Sequence, residues 1–359
     1  MIITKKPHHG ILSGWRVEIN VNERYSRQVL FKPLGQTGQH ELASSTVTII
    51  GCGALGSAIA ETLTRAGIGT IHLVDRDYVE LSNLQRQQLF TETDAQQMLP
   101  KVTAAEQRLN AIRSDLRLFT YLEHLDAAGM EKLAAVSDLI LDATDNFETR
   151  LLINDASVKY GVPWIYGACV GSSGVVFPFI PGESSCFRCL LPVLPAINET
   201  CDTVGIISPA VQVTAALQCT EALKWLSGNR ESMRKKIHHF NLWDNSQLDI
   251  GVKRIKDPAC KTCGPAAVFP SLNETIVNSY AVLCGRDAVQ ILPDPNRTIT
   301  LDDAEKIGNR LKAGVKRTPY FVELKVFDHR MVLFGNGRLL IHGVHNVAAG
   351  RKLYHQVFG

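Results

Sequence analysis

The chain has 359 residues, of which 45% are hydrophobic and 20% are charged, and its formal net charge is +3. This balance is typical of globular proteins, so disorder or coiled coil is excluded as the dominant state, and the length suffices for two domains of ordinary size. The small net charge also argues against nucleic acid or a membrane surface as the default partner. We therefore expect any anionic ligand to be held by a local site.

The N-terminus and the cysteine content predict a soluble, cytoplasmic protein. The first three apolar residues are followed by a polar and basic stretch, which is unlike a secretory signal. Two charge-free runs contain prolines and polar residues, so we do not interpret them as membrane spans. The run at 160–182 is expected to be irregular, and the run at 203–220 is expected to be a buried helix. Nine cysteines, an odd number, do not resemble the disulfide framework of a small secreted domain.

From Thr46 onward, predicted strands and helices alternate in the order typical of a doubly wound parallel sheet. The strands are predicted at 47–50, 71–74, 117–121, 137–141, 162–166 and 175–180, and the helices at 57–66, 101–112, 130–135 and 208–226. A loop region rich in proline and glycine is predicted at 178–195. The pattern predicts an α/β fold with a Rossmann-like, mostly parallel sheet.

The composition changes after Pro265, where an apparent linker at 266–273 leads into a tail with its own pattern. Apolar segments occupy 280–283 and 289–292, helices are predicted at 301–311 and 346–354, and strands at 320–327, 331–334 and 339–342. This order predicts a small C-terminal α+β domain over residues 271–359.

The motif Gly51-Cys52-Gly53-Ala54-Leu55-Gly56 follows a predicted strand and opens a predicted helix. Glycines allow the backbone to approach a phosphate, and the helix N-terminus offers unpaired N–H groups. Asp75 ends the next strand, where a ribose-binding acid is expected. Taken alone, this motif favours a nicotinamide or flavin enzyme, and a glycine turn that only packs is the alternative.

A polar cluster at the ends of other elements favours ATP instead. Asn83, Arg86 and Gln87 lie in one short stretch, Lys101 follows a proline, and Asp145 and Asn146 follow a predicted strand. Cations can hold phosphate oxygens, and a carboxylate can hold the Mg²⁺ that bridges them. Each of these residues singly could be a solvated polar group, but together at strand ends they predict a site for ATP phosphates.

Two Cys-X-X-Cys pairs, Cys186 with Cys189 and Cys260 with Cys263, predict a four-thiolate Zn²⁺ site. Such a site has no open position for catalysis, so the metal would be structural, one ion per chain, and would join a loop after the core sheet to a later segment. A redox pair or free thiols are the alternatives.

These residues together resemble the ThiF/MoeB family, the bacterial relatives of ubiquitin-activating enzymes, which adenylate the C-terminal glycine of a small ubiquitin-like sulfur carrier protein. The resemblance extends from Arg24 to Gly264 and includes Arg24-Tyr-Ser-Arg27-Gln, the glycine motif, Asp75, Ser82 to Gln87, Lys101, Thr144 to Asn146, both cysteine pairs and Cys201. Ala54 departs from the family, in which a second consecutive glycine is usual. The implied division is an N-terminal extension at 1–22 and an adenylyltransferase domain at 23–265.

The resemblance also implies the roles of individual residues. ATP would be surrounded by Gly51, Gly53, Ala54, Gly56, Asp75, Asn83, Arg86, Gln87, Lys101, Asp145 and Asn146. Asp145 would serve Mg²⁺ and catalysis, and Arg27 would be supplied by the neighbouring subunit of a homodimer. Cys201 would take part in a thioester or persulfide step, with a loop cysteine of no catalytic duty as the alternative.

The implied partners are a carrier that ends in Gly-Gly and a separate sulfur donor, either a cysteine desulfurase or a sulfurtransferase. A separate donor is expected because the tail, with Cys284 near its start, lacks the reactive cysteine loop of a rhodanese-type domain. The carrier carboxylate is already ionised at neutral pH, so catalysis needs positioning and charge neutralisation by Arg27, Arg86, Lys101 and Mg²⁺ rather than a general base.

Three other interpretations remain open at this point: activation of another peptide C-terminus by the same chemistry, a nucleotide-cofactor oxidoreductase, and a non-enzymatic scaffold stabilised by zinc. The motifs also leave the pathway open between thiamine and molybdopterin biosynthesis.

Overall fold

The computed structural model describes residues 21–193, 204–252, 255–273, 280–283, 288–293 and 299–359. The larger of its two sheets consists of β1 (Thr46–Ile50), β2 (Thr70–Asp75), β3 (Arg117–Leu122), β4 (Leu139–Asp142), β5 (Trp164–Val170), β6 (Ser173–Phe179), β7 (Lys236–Asn241) and β8 (Ser246–Gly251). Its strand order is β3-β2-β1-β4-β5-β6-β7-β8. The first five strands in this order pair in parallel, and the remaining neighbours are antiparallel.

The order in which the chain adds strands to the sheet changes sides between β1 and β4, which are themselves parallel. The chain leaves β1 for β2 and β3 on one side and then returns to form β4 on the other side of β1. Ile50 pairs with Val74 of β2 and with Asp142 of β4, so the carboxyl ends of these three strands lie side by side. This edge is where open α/β sheets bind their ligands.

Helices cover both faces of the larger sheet. They are α1 (Val21–Arg24), α2 (Ser26–Val29), α3 (Gly35–Ser44), α4 (Ala54–Ala66), α5 (Glu92–Gln97), α6 (Lys101–Ile112), α7 (Ala127–Val136), α8 (Phe147–Tyr160), α9 (Phe187–Leu190), α10 (Ser208–Leu226) and α11 (Pro270–Asn273). Ile49 belongs to a hydrophobic cluster with α4, α6 and α10, whereas Ile50 belongs to a second cluster with α7 and α8. The predicted doubly wound, mostly parallel fold is confirmed.

Helix α8 is absent from the sequence prediction because its buried face is largely polar. Arg150, Asn154, Asp155 and Ser157 are all buried in it, so hydrophobic residues do not recur with a helical period. The burial of these polar side chains is explained only by the hydrogen bonds that they form in the folded protein.

The second sheet consists of β9 (Tyr280–Leu283), β10 (Ala288–Ile291), β11 (Gly314–Arg317), β12 (Phe321–Val326), β13 (His329–Phe334) and β14 (Leu339–His342), in the antiparallel order β11-β12-β13-β14-β10-β9. With α12 (Leu301–Arg310) and α13 (Val347–Phe358) it forms what we call the C-terminal unit. Side chains alternate along its strands: Leu333 packs against the helices of the unit, and Phe334 points to the opposite face. The predicted small α+β architecture is confirmed, whereas the exact domain boundaries stay a prediction.

Two predicted irregular regions contain structure. The loop at 178–195 includes α9, and the apparent linker at 266–273 includes α11. The backbone N–H of Ser271 in α11 donates to Asp155 Oδ2 of α8 at 2.8 Å, so this segment is attached to the larger sheet's helices. Within the described residues, no helix combines the length and hydropathy needed to span a bilayer.

Candidate functional site

The glycine motif forms the turn from β1 into α4. Gly51 has φ +96°, and a Cβ there would lie 2.5 Å from the Ala143 carbonyl oxygen. A Cβ on Gly56 would overlap the Gly51 carbonyl. Gly53 is the N-cap residue of α4 and has no side chain with which to cap it. The turn therefore leaves the helix N-terminus open to an anionic ligand.

Asp75 is fixed beside this turn at the end of β2. Its carboxylate accepts hydrogen bonds from the backbone N–H of Cys52 at 2.6 Å and from that of Asp77 at 2.7 Å. Each carboxylate oxygen retains a second lone pair, so Asp75 can still accept a hydroxyl group. It occupies the position at which the sequence predicted a ribose-binding acid.

The chain between β2 and α6, which we call the crossover segment (residues 76–100), brings polar side chains toward the turn. Asn83 is buried, and its Oδ1 accepts from the Glu80 backbone N–H at 3.1 Å. Gln87 is 3% exposed, with Nε2 3.9 Å from the position of a Cβ on Gly53. Its Oε1 has no hydrogen-bond partner among the described residues. A buried amide oxygen of this kind is costly unless a ligand or a water bonds to it, so Gln87 is a candidate contact for a ligand held at the turn.

Two cations lie in or directly after the crossover segment. Lys101, the first residue of α6, is 3% exposed, and its Nζ lies 3.7 Å from Asp77 Oδ2. Its backbone carbonyl lies 4.0 Å from the Cys52 sulfur, directly next to the glycine turn. Arg86 is half-buried and donates from Nη1 to the Ser82 carbonyl at 2.9 Å. Lys101 therefore lies where it can neutralise charge on a ligand held at the turn.

Asp145 lies in the loop after β4, which runs alongside the glycine turn. The Ala143 N–H donates to the Ile50 carbonyl at 2.9 Å, and this bond joins the two loops. Asp145 is exposed, so its carboxylate is accessible to a cation that keeps part of its hydration shell, as Mg²⁺ usually does. Asn146 caps α8 through Oδ1, which accepts from the Thr149 N–H at 2.9 Å, and its Nδ2 donates to Asp145 Oδ1 at 3.3 Å.

Sequence reasoning missed the buried pair that supports this loop. Asp142, fully buried at the end of β4, lies 3.0 Å from the guanidinium of Arg150 in α8. Burial raises the pKa of Asp142, while Arg150 and Thr144 oppose that rise. The available signal was an aspartate that ends an otherwise apolar strand.

Arg27 lies apart from the glycine turn. It is exposed on α2, whose neighbouring Gln28 donates to the Ala66 carbonyl at 2.8 Å, at the C-terminal end of α4. The turn is at the other end of this helix, which has 13 residues, a length of about 20 Å. Cys201, the remaining predicted catalytic residue, lies outside the described residues.

The four predicted zinc ligands converge in one cluster. The sulfur of Cys186 lies 3.7 Å from that of Cys189 and 3.6 Å from that of Cys260, and Cys189 lies 3.6 Å from Cys263. All four sulfurs are within 4.8 Å of one another. A tetrahedral zinc ion with bonds of about 2.3 Å sets its sulfurs roughly 3.8 Å apart, so these residues fit the ion.

The surroundings of the cluster also suit a metal. Burial raises the pKa of the Cys189 thiol to about 11 and that of Cys186 further, so thiolates at these two positions need a compensating cation. Burial also acts to raise the pKa of Cys260, but hydrogen bonds from the backbone N–H groups of Cys263 and Thr262 help to lower it below its ordinary value. Behind the cluster, Asp155 of α8 accepts from Thr262 Oγ1 at 2.5 Å and pairs with Arg188 Nη2 at 3.1 Å. This network holds the two cysteine pairs on the same helix.

Comparison with known proteins adds a family and several relatives. Residues 25–262 match the model of the ThiF family. The chain is 46% identical to the sulfur carrier protein ThiS adenylyltransferase of Bacillus subtilis, over 94% of this chain and 99% of that protein. It is 35% identical to the molybdopterin-synthase adenylyltransferase of Escherichia coli, over 67% of this chain and 96% of that protein. The first alignment includes most of the C-terminal unit.

Solved structures show the same fold. The crystal structure of E. coli MccB with ATP superposes with a TM-score of 0.59 and 24% identity, covering 68% of this chain and 75% of MccB. At this identity the likeness concerns the fold alone.

Proposed function

Since this chain belongs to the ThiF family, we propose that it adenylates the C-terminal carboxylate of a ubiquitin-like sulfur carrier protein, with ATP as co-substrate and pyrophosphate as product. The observation that carries the proposal is the convergence of the glycine turn, Asp75, Gln87 and Lys101 at the carboxyl edge of β1, β2 and β4. The near full-length match to a ThiS adenylyltransferase supports the choice of substrate.

ATP would lie across this edge. Its phosphates would meet the uncapped N-terminus of α4, where Gly51, Gly53 and Gly56 keep the backbone accessible, next to Ala54. Asp75 would accept a ribose hydroxyl. The unpaired Oε1 of Gln87 would accept a donor from the nucleotide, with Asn83 and Asn146 as further polar neighbours.

Mg²⁺ would be held by Asp145 together with phosphate oxygens. Asp145 fits this role because it is an exposed carboxylate on the loop bonded to the glycine turn. When bound, the ion supplies charge neutralisation for the departing pyrophosphate.

The reaction then needs little proton chemistry. A carboxylate oxygen of the carrier attacks the α-phosphorus, the bond to the β-phosphate oxygen breaks, and pyrophosphate leaves with the electron pair. The nucleophile is ionised at neutral pH, so no general base is required. Lys101 and Arg86 offset the negative charge that accumulates, and their fixed positions lower the cost of reorganisation.

A homodimer would complete the site. Arg27 is exposed at the far end of α4 from the glycine turn, so its side chain is available to the site of a neighbouring subunit rather than to its own. This arrangement supports the role expected from the family.

The cysteine cluster would hold one structural Zn²⁺. Four thiolates saturate a tetrahedral ion, which leaves no position for substrate. The ion would clamp α9 to the segment that precedes α11, and Asp155 would keep both on α8.

The later sulfur step would use Cys201 and a separate donor, either a cysteine desulfurase or a sulfurtransferase. Nine cysteines favour a reducing compartment, so we propose that the protein works in the cytoplasm. Of the two pathways, we favour thiamine biosynthesis because the ThiS adenylyltransferase aligns over most of the C-terminal unit as well.

Carrier-dependent exchange of labelled pyrophosphate into ATP tests the proposal. We expect exchange with a ThiS-like carrier, weaker exchange with a MoaD-like carrier, and none with a carrier that lacks its terminal Gly-Gly. Faster exchange with the MoaD-like carrier would reassign the pathway. No exchange with either carrier, together with binding of NAD, would overturn the function and favour an oxidoreductase.

A further inference from the structure

The C-terminal unit rests directly on the crossover segment that carries the nucleotide-site residues. Its face opposite the unit's own helices buries Phe321, Val332, Phe334 and Leu340 against Tyr78 and Met98. The Tyr78 ring lies 5.5 Å from that of Phe321 and 6.2 Å from that of Phe334, between ring centroids. Ring centroids at these distances are within the range of favourable aromatic pairs, so the contact contributes to holding the unit on the crossover segment.

Polar contacts fix the unit at both ends of the crossover segment. Arg330 pairs with Glu80 at 3.3 Å, and Lys316 donates to the Gln96 carbonyl at 3.2 Å. Because Glu80 and Gln96 flank the stretch that contains Asn83, Arg86 and Gln87, a shift of the unit would shift that stretch.

Arg338 is the charged group at the centre of this contact. It is 2% exposed, its guanidinium lies 4.0 Å from the centroid of the Phe334 ring, and it donates a short hydrogen bond to the Arg76 carbonyl. Its Nη1 lies 3.9 Å from Asp77 Oδ1. A buried guanidinium needs such partners, because an uncompensated charge there is costly.

Asp77 connects Arg338 to the nucleotide site. Its second carboxylate oxygen lies 3.7 Å from Lys101 Nζ, and its backbone carbonyl accepts the Lys101 N–H at 2.9 Å. Its own N–H donates to Asp75, which in turn holds the glycine turn. One carboxylate therefore lies between a cation of the C-terminal unit and a cation of the ATP site.

We propose that Arg338 is a positioning residue through which the C-terminal unit sets the charge and placement of Lys101. This inference rests on the proposed function, in which Lys101 contacts the ATP phosphates. Arg338 takes up part of the negative charge of Asp77, so the ammonium of Lys101 stays available to ATP. Without Arg338, Asp77 binds Lys101 more strongly and withdraws it from the phosphates.

The affinity for Mg²⁺-ATP, measured by isothermal titration calorimetry on the full chain, tests this without a carrier protein. We expect Arg338→Gln to raise the Kd about tenfold, which is within the range of couplings between contacting charged groups. Arg338→Lys keeps the charge and should stay close to wild type. Arg317→Gln is the matched control, since Arg317 pairs with Asp302 and Glu305 inside the C-terminal unit and should leave the Kd unchanged.

A double-variant cycle separates this role from simple packing. In an Asp77→Asn background there is no carboxylate charge for Arg338 to share, so Arg338→Gln should change the Kd far less than it does alone. An equal effect in both backgrounds would show that Arg338 only packs, and would overturn the inference. If Arg338→Gln is too unstable to titrate, Arg338→Lys decides instead: a tenfold weaker Kd in that charge-conserving variant would overturn it.

Lys101→Met distinguishes failure of this inference from failure of the proposed function. If Lys101→Met weakens ATP binding while Arg338→Gln does not, the function stands and the positioning role falls. If neither wild type nor any variant binds ATP, the proposed function itself is overturned and the positioning role with it.

Discussion

Arg150 and Asp142 form a buried ion pair, 3.0 Å apart, directly beneath the loop that carries Asp145. Arg150 Nη2 also donates to the Thr144 carbonyl at 2.7 Å, and the Thr144 hydroxyl and N–H both donate to Asp142 Oδ1. These bonds form a closed network of three residues. The loop is thus held before any ligand arrives, which keeps Asp145 at the edge where ATP is proposed to bind.

Arg150→Met should destabilise the protein strongly, because it leaves the Asp142 carboxylate buried without its cation. We expect a loss of about 3 to 5 kcal/mol in the free energy of unfolding. Arg65→Met is the control: Arg65 is 58% exposed and pairs with Glu61 on the surface of α4, so its loss should be below about 1 kcal/mol. Urea denaturation of both variants measures the difference, and equal losses would contradict a structural role for the buried pair.

Asp145→Ala should lower the rate of carrier-dependent pyrophosphate exchange at least about a hundredfold, because it removes the proposed ligand of the Mg²⁺ that neutralises phosphate charge. Asp145 is exposed and the cap of α8 is Asn146, so the melting temperature should barely change. Asp328→Asn alters an exposed turn in the C-terminal unit and should keep full exchange. Exchange at the wild-type rate in Asp145→Ala would rule out the assigned role.

Cys201→Ala should leave pyrophosphate exchange close to wild type and block only the transfer of sulfur to the carrier. The reason is that adenylation forms a mixed anhydride between the carrier carboxylate and AMP without a thiol, whereas a thioester or persulfide step needs one. Exchange and sulfur transfer are measured on the same preparation. Loss of exchange in this variant would contradict the division between the two steps.

Elemental analysis should find close to one zinc per chain, and removal of zinc by a chelator should lower the melting temperature. We expect a loss of a few kcal/mol, or roughly 10 °C for a domain of this size. Cys186→Ser should lose the metal, whereas Cys219→Ala, which alters a buried cysteine of α10 outside the cluster, should retain it. A metal-free protein of undiminished stability would refute the clamp.

His124 should make the protein less stable in mild acid. Burial, and secondarily Arg76 and Arg338, lower the pKa of His124 to about 4, and Arg76 Nη1 donates to its Nδ1 at 2.9 Å. Between pH 6.5 and 4 the unfolded chain binds a proton that the folded chain does not. The free energy of unfolding should therefore fall with decreasing pH in this window, by up to about 1.4 kcal/mol per unit from this group, and be unaffected above it.

His124→Gln removes this proton uptake, so denaturation curves at a series of pH values should show a shallower decline for the variant than for wild type. His40→Gln, an exposed position on α3, should keep the wild-type slope. Identical slopes for wild type and His124→Gln would show that His124 does not cause the loss.

Much of the fold could be predicted because its signals are local. The glycine motif between β1 and α4 reflects backbone sterics within six residues, and α10 was predicted at 208–226 with the bounds observed. The spacing within each cysteine pair and the ligand chemistry of thiolates likewise predicted that the two pairs converge, although they lie more than seventy residues apart. Such patterns specify an element or a coordination site wherever the rest of the chain lies.

What could be found only in the folded molecule depends on contacts between distant segments. Helix α8 could not be predicted from the sequence, because Arg150 and Asp155 have the pattern of exposed charges. Their burial depends on partners from distant segments: Asp142 of β4 for Arg150, and Thr262 between the second pair of cysteines for Asp155. Asp77 and Arg338 are unremarkable charges 261 positions apart until two sheets pack together and place them 3.9 Å from each other. Charge and burial act through space, so the link from the C-terminal unit to Lys101 exists only in the tertiary structure, whereas the residues proposed to bind phosphate could be recognised along the chain.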